Sequence, residues 1–155
     1  MENKYISHSV LDTHKIANDI LKHIVNGGLF VNQAKLIILK GDLGVGKTEF
    51  VKGLAKKLGV QNNVLSPTFV LSRVYDVGNS NIKKLYHLDV YRLIEKNKVD
   101  SADLESLFLD ELINDSSNIV VIEWGDCVKD ILKHKYILVD IKMKDGSRVF
   151  NIKSK

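Results

Sequence analysis

The sequence predicts an α/β protein: a mixed central sheet with helices on both faces and a β-hairpin at the C-terminal end. Three observations lead there. The short apolar run "KLIILK" (35–40) is followed at once by a glycine-rich loop and then by a stretch with helical periodicity. A second apolar run, "NIVVIEWGD" (118–126), reads as a buried strand that delivers acidic residues to a loop. Finally, "YILVDIKMKDGSRVFNIK" (136–153) places Asp145-Gly146 between two strand-like runs, a pair suited to the positive φ angles of a tight hairpin turn.

The elements follow in order. Over residues 12–25, Ile16, Ile20, Leu21 and Ile24 recur at a helical period, with Asp12 as the expected N-cap and Gly27-Gly28 as the stop. "KLIILK" is a buried strand. Phe50, Val51, Leu54, Ala55 and Leu58 mark the inner face of a helix that ends at Gly59. Two strand-like runs come next, "TFVLSRVY" (68–75) and "IKKLYHLDVY" (82–91), joined by the turn-rich "DVGNSN". Leu104, Leu107, Phe108 and Leu112 suggest a further helix before the second apolar strand.

At 155 residues, with 45% hydrophobic and 27% charged side chains, the chain has the length and composition of one soluble domain, 1–155. No apolar run approaches a membrane span, and "MENKYISHSV" lacks the apolar stretch of a signal peptide. The single cysteine, Cys127, excludes an internal disulfide and a cysteine-based zinc site, so a reducing, cytoplasmic setting is expected. The net charge of +4 raises the question of nucleic acid. It comes almost wholly from scattered lysines; Arg73, Arg92 and Arg148 are the only arginines, and no basic stripe interleaves with aromatics. Direct, tight RNA binding is not expected.

The loop after "KLIILK" carries the chemistry. Gly41-Asp42-Leu43-Gly44-Val45-Gly46-Lys47-Thr48 fits G-x-x-x-x-G-K-[ST] at every fixed position, in the strand–loop–helix context the motif requires. The glycines let backbone N–H groups turn inward around phosphate oxygens, and the following helix adds the positive end of its dipole. Lys47 is expected to reach the β- and γ-phosphates and the Thr48 hydroxyl to ligate Mg²⁺. A nucleoside triphosphate is the expected ligand, on a P-loop NTPase-like three-layer fold.

"NKVD" (97–100) matches the guanine-reading motif of GTPases, but no apolar strand precedes it and no D-x-x-G lies between the loop and Asn97. It reads better as a solvated lead-in capping the next helix. In "LYHLDVYRL" (85–93), alternation places His87, Asp89 and Tyr91 on one face. Taken alone, the segment reads better as a half-exposed hairpin strand. Glu123, at the end of its apolar strand, resembles a Walker B carboxylate positioned for Mg²⁺ or its bound water. Trp124 beside it is either part of the site or ordinary core.

Together, Gly41–Thr48, "SPTFVL" (66–71), "HLDVYRL" (87–93) and "IEWGD" (122–126) resemble the TsaE family, in order and over nearly the whole chain. That family is the small ATPase subunit of the bacterial machinery that makes threonylcarbamoyladenosine in tRNA. The resemblance implies that Leu43 through Thr48 wrap the phosphates of ATP and that Thr48 with Glu123 holds Mg²⁺. It implies that Thr68 senses the γ-phosphate, that Asp89 lies near the metal and the attacking water, and that Trp124 lines the nucleotide site or a partner surface. It also implies TsaD-like and TsaB-like partner subunits, contact with tRNA only through that complex, and slow ATPase activity in isolation. Two other readings stand beside it. One is a P-loop kinase for a small molecule, against which counts the lack of an arginine-rich lid; the other is an adaptor that binds nucleotide without hydrolysing it.

Overall fold

The computed structural model describes residues 2–78, 81–94, 108–129 and 132–155. Its strands are β1 (Glu2–Ser7), β2 (Lys35–Lys40), β3 (Ser72–Asp76), β4 (Lys84–Asp89), β5 (Asn118–Glu123), β6 (Ile137–Lys144) and β7 (Ser147–Ser154). Its helices are α1 (Val10–Asn26), α2 (Lys47–Leu58), α3 (Tyr91–Ile94) and α4 (Leu109–Asn114), with a 3₁₀ turn at Gly125–Cys127. The strands form one seven-stranded sheet in the order β1-β7-β6-β2-β5-β4-β3. β2 runs parallel to both β5 and β6, and β5 parallel to β4. β1, β7 and β3 pair antiparallel at the flanks, so the sheet is mixed.

The parallel centre explains the sequence pattern. A strand covered on both faces reads as a near-continuous apolar run. In β5 all six residues are buried, and Leu36, Ile37, Ile38 and Leu39 of β2 are fully buried beside them. Each such side chain contributes about 1.5–3 kcal/mol by leaving water. α1 packs on α2, and α2 and α4 each contact the parallel strand β5. The α1 side chains Ile16, Ile20, Leu21 and Ile24 are buried, as the period predicts, as are Phe50, Val51, Leu54, Ala55 and Leu58 of α2.

The local signals hold with several corrections. Ser9, not Asp12, is the N-cap of α1: its hydroxyl accepts from Asp12 N at 3.1 Å, while Asp12 sits in the first turn and accepts from His8 N. Gly27 and Gly59 end α1 and α2 as expected. Asp145 and Gly146 adopt φ of 50° and 76° and join β6 to β7. The run "TFVLSRVY" is a strand only from Ser72, because Val70 N donates to the Pro67 carbonyl and Leu71 turns left-handed at φ 63°. "IKKLYHLDVY" pairs only over Lys84–Asp89, and Tyr91 opens α3 instead of extending the strand. β4 does pair antiparallel with β3, but it lies inside the sheet between β5 and β3 and is mostly buried, so it is not half-exposed. Of the expected helix at 104–112, α4 begins at Leu109; Leu104, Leu107 and "NKVD" lie outside the described residues. β1, which pairs with β7 at the sheet edge, was not expected. Among the described residues no helix is long and apolar enough to cross a membrane.

Candidate functional site

The parallel strands β2, β4 and β5 end at one edge of the sheet, and their register sets the site. Asp89 pairs with Glu123, and Leu39 with Glu123, so two carboxylates emerge side by side next to the loop that leaves β2. That loop curls because Gly41, Gly44 and Gly46 take φ of 146°, 75° and 111°, values open to glycine and costly for other residues. α2 then starts at Lys47, so its free N–H groups and dipole face the loop's concavity.

The cleft so formed encloses about 350 Å³. Of the residues singled out by sequence, Leu43, Gly44, Gly46, Lys47, Thr48, Thr68, Asp89, Glu123 and Trp124 line it. Gly41, Asp42 and Val45 shape it from behind. The carbonyls of Gly41 and Asp42 accept from Lys47 Nζ at 2.8 and 2.9 Å, and the Val45 side chain is buried. Lys47 is 4% exposed and its ammonium lies 3.8 Å from the centre of the Trp124 ring. Burial pulls the Lys47 ammonium below its usual range, while Glu123, Asp89, Asp42 and Asp126 push it back towards the charged form.

The two carboxylates have separate partners. Thr48 Oγ1 donates to Glu123 Oε1 at 2.8 Å, and Thr68 Oγ1 donates to Asp89 Oδ2 at 2.6 Å. Asp89 Oδ1 also accepts from Tyr91 N at 2.8 Å. Ser66 Oγ lies 2.7 Å from the Thr68 hydroxyl. A hydroxyl carries one proton; since that of Thr68 goes to Asp89, Ser66 donates to Thr68. Trp124 takes φ 61°, uncommon for an aromatic residue, and so swings its ring off the strand line against Tyr91, 5.0 Å between centroids. Asp126 pairs with Lys40 at 3.5 Å.

These groups suit a hard cation and a polyphosphate. Thr48 and Glu123 present adjacent oxygen donors at the mouth of the amide cradle. Among the described residues no three His, Cys, Asp or Glu side chains cluster to hold a metal by themselves. Mg²⁺ needs none, since it keeps waters and takes phosphate oxygens alongside one or two protein ligands.

The family model described as "Threonylcarbamoyl adenosine biosynthesis protein TsaE" matches residues 7–150 of this chain. The chain belongs to the TsaE family. A relative from Treponema pallidum named tRNA threonylcarbamoyladenosine biosynthesis protein TsaE is 36% identical over 129 residues, covering 81% of this chain and 86% of its own. The protein of that name from Haemophilus influenzae is 37% identical over 120 residues, covering 77% of this chain and 70% of its own. The Mycobacterium tuberculosis protein of that name is 36% identical over 110 residues. That match takes in 70% of this chain and 63% of the mycobacterial one, just under two thirds. The crystal structure of Bacillus subtilis YdiB superposes with a TM-score of 0.70 over 99% of this chain and 86% of its own, at 25% identity. The P-loop NTPase-like fold expected from the sequence is the one observed.

In this TsaE-family chain the cleft also holds residues that the sequence did not single out as part of a site. Arg148 reaches in from β7, its Nε donating to the Val45 carbonyl at 2.8 Å, and it packs on Gly46, where an added Cβ would lie 3.1 Å from Nε. Val10, Glu49 and Ser66 complete the lining. His87 lies beneath the cleft, its Nε2 2.7 Å from Glu123 Oε1. Alternation did put His87 on the same face as Asp89, which was the one signal for it.

Proposed function

We propose that this protein is a small Mg²⁺-dependent ATPase of tRNA threonylcarbamoyladenosine formation. It acts with TsaD-like and TsaB-like subunits and meets tRNA only through that complex. One observation carries this reading: the Thr48–Glu123 and Thr68–Asp89 hydrogen bonds, at 2.8 and 2.6 Å, set two carboxylates and a loop hydroxyl around the mouth of the phosphate cradle. Relatives whose printed names assign them to this biosynthesis support the pathway.

In this reading the loop amides from Leu43 to Thr48 hold the phosphates and Lys47 neutralises the β- and γ-oxygens. Thr48 and Glu123 hold Mg²⁺, which supplies further charge compensation when bound. Asp89 orients the attacking water, and Thr68 reports the γ-phosphate. Among the described residues Lys47 and Arg148 are the cationic side chains lining the cleft, and Arg148 Nε is committed to the loop carbonyl. With so little charge to meet the transition state, isolated hydrolysis is slow. Leu43, Leu65, Phe69 and Val70 expose 87, 54, 82 and 52% of their surface beside the cleft, as a partner-facing rim would.

Phosphate release measured alone, with candidate acceptors and with the two subunits tests this. Release without an acceptor, increased by the subunits, is expected. Release or transfer only with a small acceptor would favour the kinase reading, to which Arg148 now lends an arginine in the cleft. ATP-dependent subunit binding without release would leave the adaptor reading.

A further inference from the structure

Glu123 does not end β5 alone. Its Oε1 accepts from the Thr48 hydroxyl at 2.8 Å and lies 2.7 Å from His87 Nε2. His87 comes from β4, two residues before Asp89, and is fully buried at 0% exposure. The proton can be placed on one nitrogen. A carboxylate only accepts, so Nε2 is the donor. His87 Nδ1 is buried and finds no partner among the described residues. A buried N–H without an acceptor is rarer in folded proteins than an unused lone pair, so Nδ1 is the bare nitrogen.

We infer that His87 is a positioning residue for the metal-facing carboxylate; this rests on the proposed Mg²⁺–nucleotide reading of the cleft. The His87 bond is sheltered from water and grips Oε1 from inside the sheet. Among the described residues Oε2 takes no hydrogen bond, and Glu123 lines the cleft, so the second oxygen is left for the ion or its water. The same grip acts one step further. Because the Thr48 proton is spent on Oε1, the Thr48 lone pairs are turned outward, and one histidine orients both oxygen donors. Histidine is a poor choice for mere filling: leucine would fit a buried strand position without stranding Nδ1. Partners that orient a metal ligand in this way change metal affinity by about 10- to 100-fold when removed.

The test is calorimetric ATP binding at a series of Mg²⁺ concentrations and in chelator, on wild type, His87→Leu, His87→Gln and His87→Asn. Glutamine places its amide N–H near the Nε2 position, whereas asparagine reaches only as far as Nδ1. Expected is that His87→Leu keeps its metal-free ATP affinity within about twofold and needs about 10- to 100-fold more Mg²⁺ for the half-maximal effect. His87→Gln should recover most of that loss and His87→Asn should not. Unchanged Mg²⁺ dependence in His87→Leu, or metal-free affinity falling in parallel, overturns the inference. If the leucine variant does not fold, the Gln–Asn pair decides: equal Mg²⁺ dependence in both overturns it. A wild type that binds ATP but ignores Mg²⁺ overturns the metal half of the underlying reading, and one that binds no ATP overturns that reading whole; both results are distinct from any variant difference.

Discussion

Replacing Lys47 separates a phosphate-binding lysine from a structural one. The ammonium has three N–H groups, and two go to the Gly41 and Asp42 carbonyls at 2.8 and 2.9 Å. One remains for a ligand, over a ring 3.8 Å away and in a setting that excludes most water. A hydrogen bond between such a cation and a phosphate oxygen is worth about 1.5–3 kcal/mol. Lys47→Ala should therefore weaken MgATP binding by about 10- to 150-fold. Lys47→Met, which keeps an unbranched apolar side chain of similar length but no charge, should do the same. Folding should change little, because Gly41 is only half-buried and Asp42 is exposed, so water can replace the lysine at their carbonyls, and a desolvated charge is removed. The assay is calorimetry with MgATP and MgADP, since Trp124 touches Lys47 and its fluorescence would change for other reasons. The loss should be larger for ATP, whose γ-phosphate the lysine also reaches. Unchanged affinity for both nucleotides would refute the phosphate role. A large loss of thermal stability with unaltered binding per folded molecule would make Lys47 structural.

The other predictions concern neighbouring groups. Glu123→Gln keeps an oxygen for Thr48 and His87, so the variant should fold like wild type while phosphate release falls at least about 100-fold; normal release would show that Glu123 does not serve the metal. Asp89→Asn should lower release by a similar factor and leave MgATP affinity within about threefold, because Lys47, Thr48 and the loop amides do not depend on it; a matching loss of affinity would place Asp89 in binding instead. Thr68→Ala should narrow the difference between ATP-loaded and ADP-loaded protein in titrations of the TsaD-like and TsaB-like subunits, and an undiminished difference would remove Thr68 from γ-phosphate sensing. Burial, reinforced by Asp126, pushes the Cys127 thiol up to about 11. At pH 8 roughly one thiol in a thousand is then ionised, so iodoacetamide labelling of the native protein should be slow and climb towards pH 11; rapid labelling at pH 8 would contradict the burial.

What the sequence disclosed and what it hid follow from how far apart the partners lie. The phosphate loop was legible because strand, glycines, lysine and helix start occupy one continuous stretch, and the backbone chemistry needs nothing from elsewhere. β5 and Glu123 were legible because a strand buried on both faces reads as a near-continuous apolar run. Arg148 was not: its partner is the Val45 carbonyl, 103 residues away, and only the pairing of β7 with β6 and β6 with β2 carries it to the loop. Ser9 was missed as the N-cap because Asp12, a residue of the same capping type, lies within one turn of it. "TFVL" has the composition of a strand, yet it leaves the sheet and leaves Phe69 82% exposed. Strand propensity measures fit to a pleated, half-buried surface, and beyond Asp89 there is no neighbouring strand for this segment to pair with.

That departure from the sheet gives the loop a defined energetic link to the site. Thr68 has one hydroxyl proton, and it is committed to Asp89 at 2.6 Å, with Ser66 behind it. To donate to a γ-phosphate, Thr68 must release Asp89, and Asp89 is then free to accept from water. Loop position and water orientation therefore draw on the same proton. Asp89 is in turn held by Tyr91 N and registered against Glu123, so moving the loop need not move Glu123. The exchange replaces one charge-assisted bond by another of similar strength, about 1.5–3 kcal/mol each. Their difference is smaller than either, which keeps any bias between Thr68 bonded to Asp89 and Thr68 bonded to a phosphate at or below the 1–3 kcal/mol typical of coupling between sites. A ligand can shift such an equilibrium only by its unequal affinity for the two states. A nucleotide that reaches the Thr68 hydroxyl with a γ-phosphate has that inequality, and one that ends at the β-phosphate lacks it.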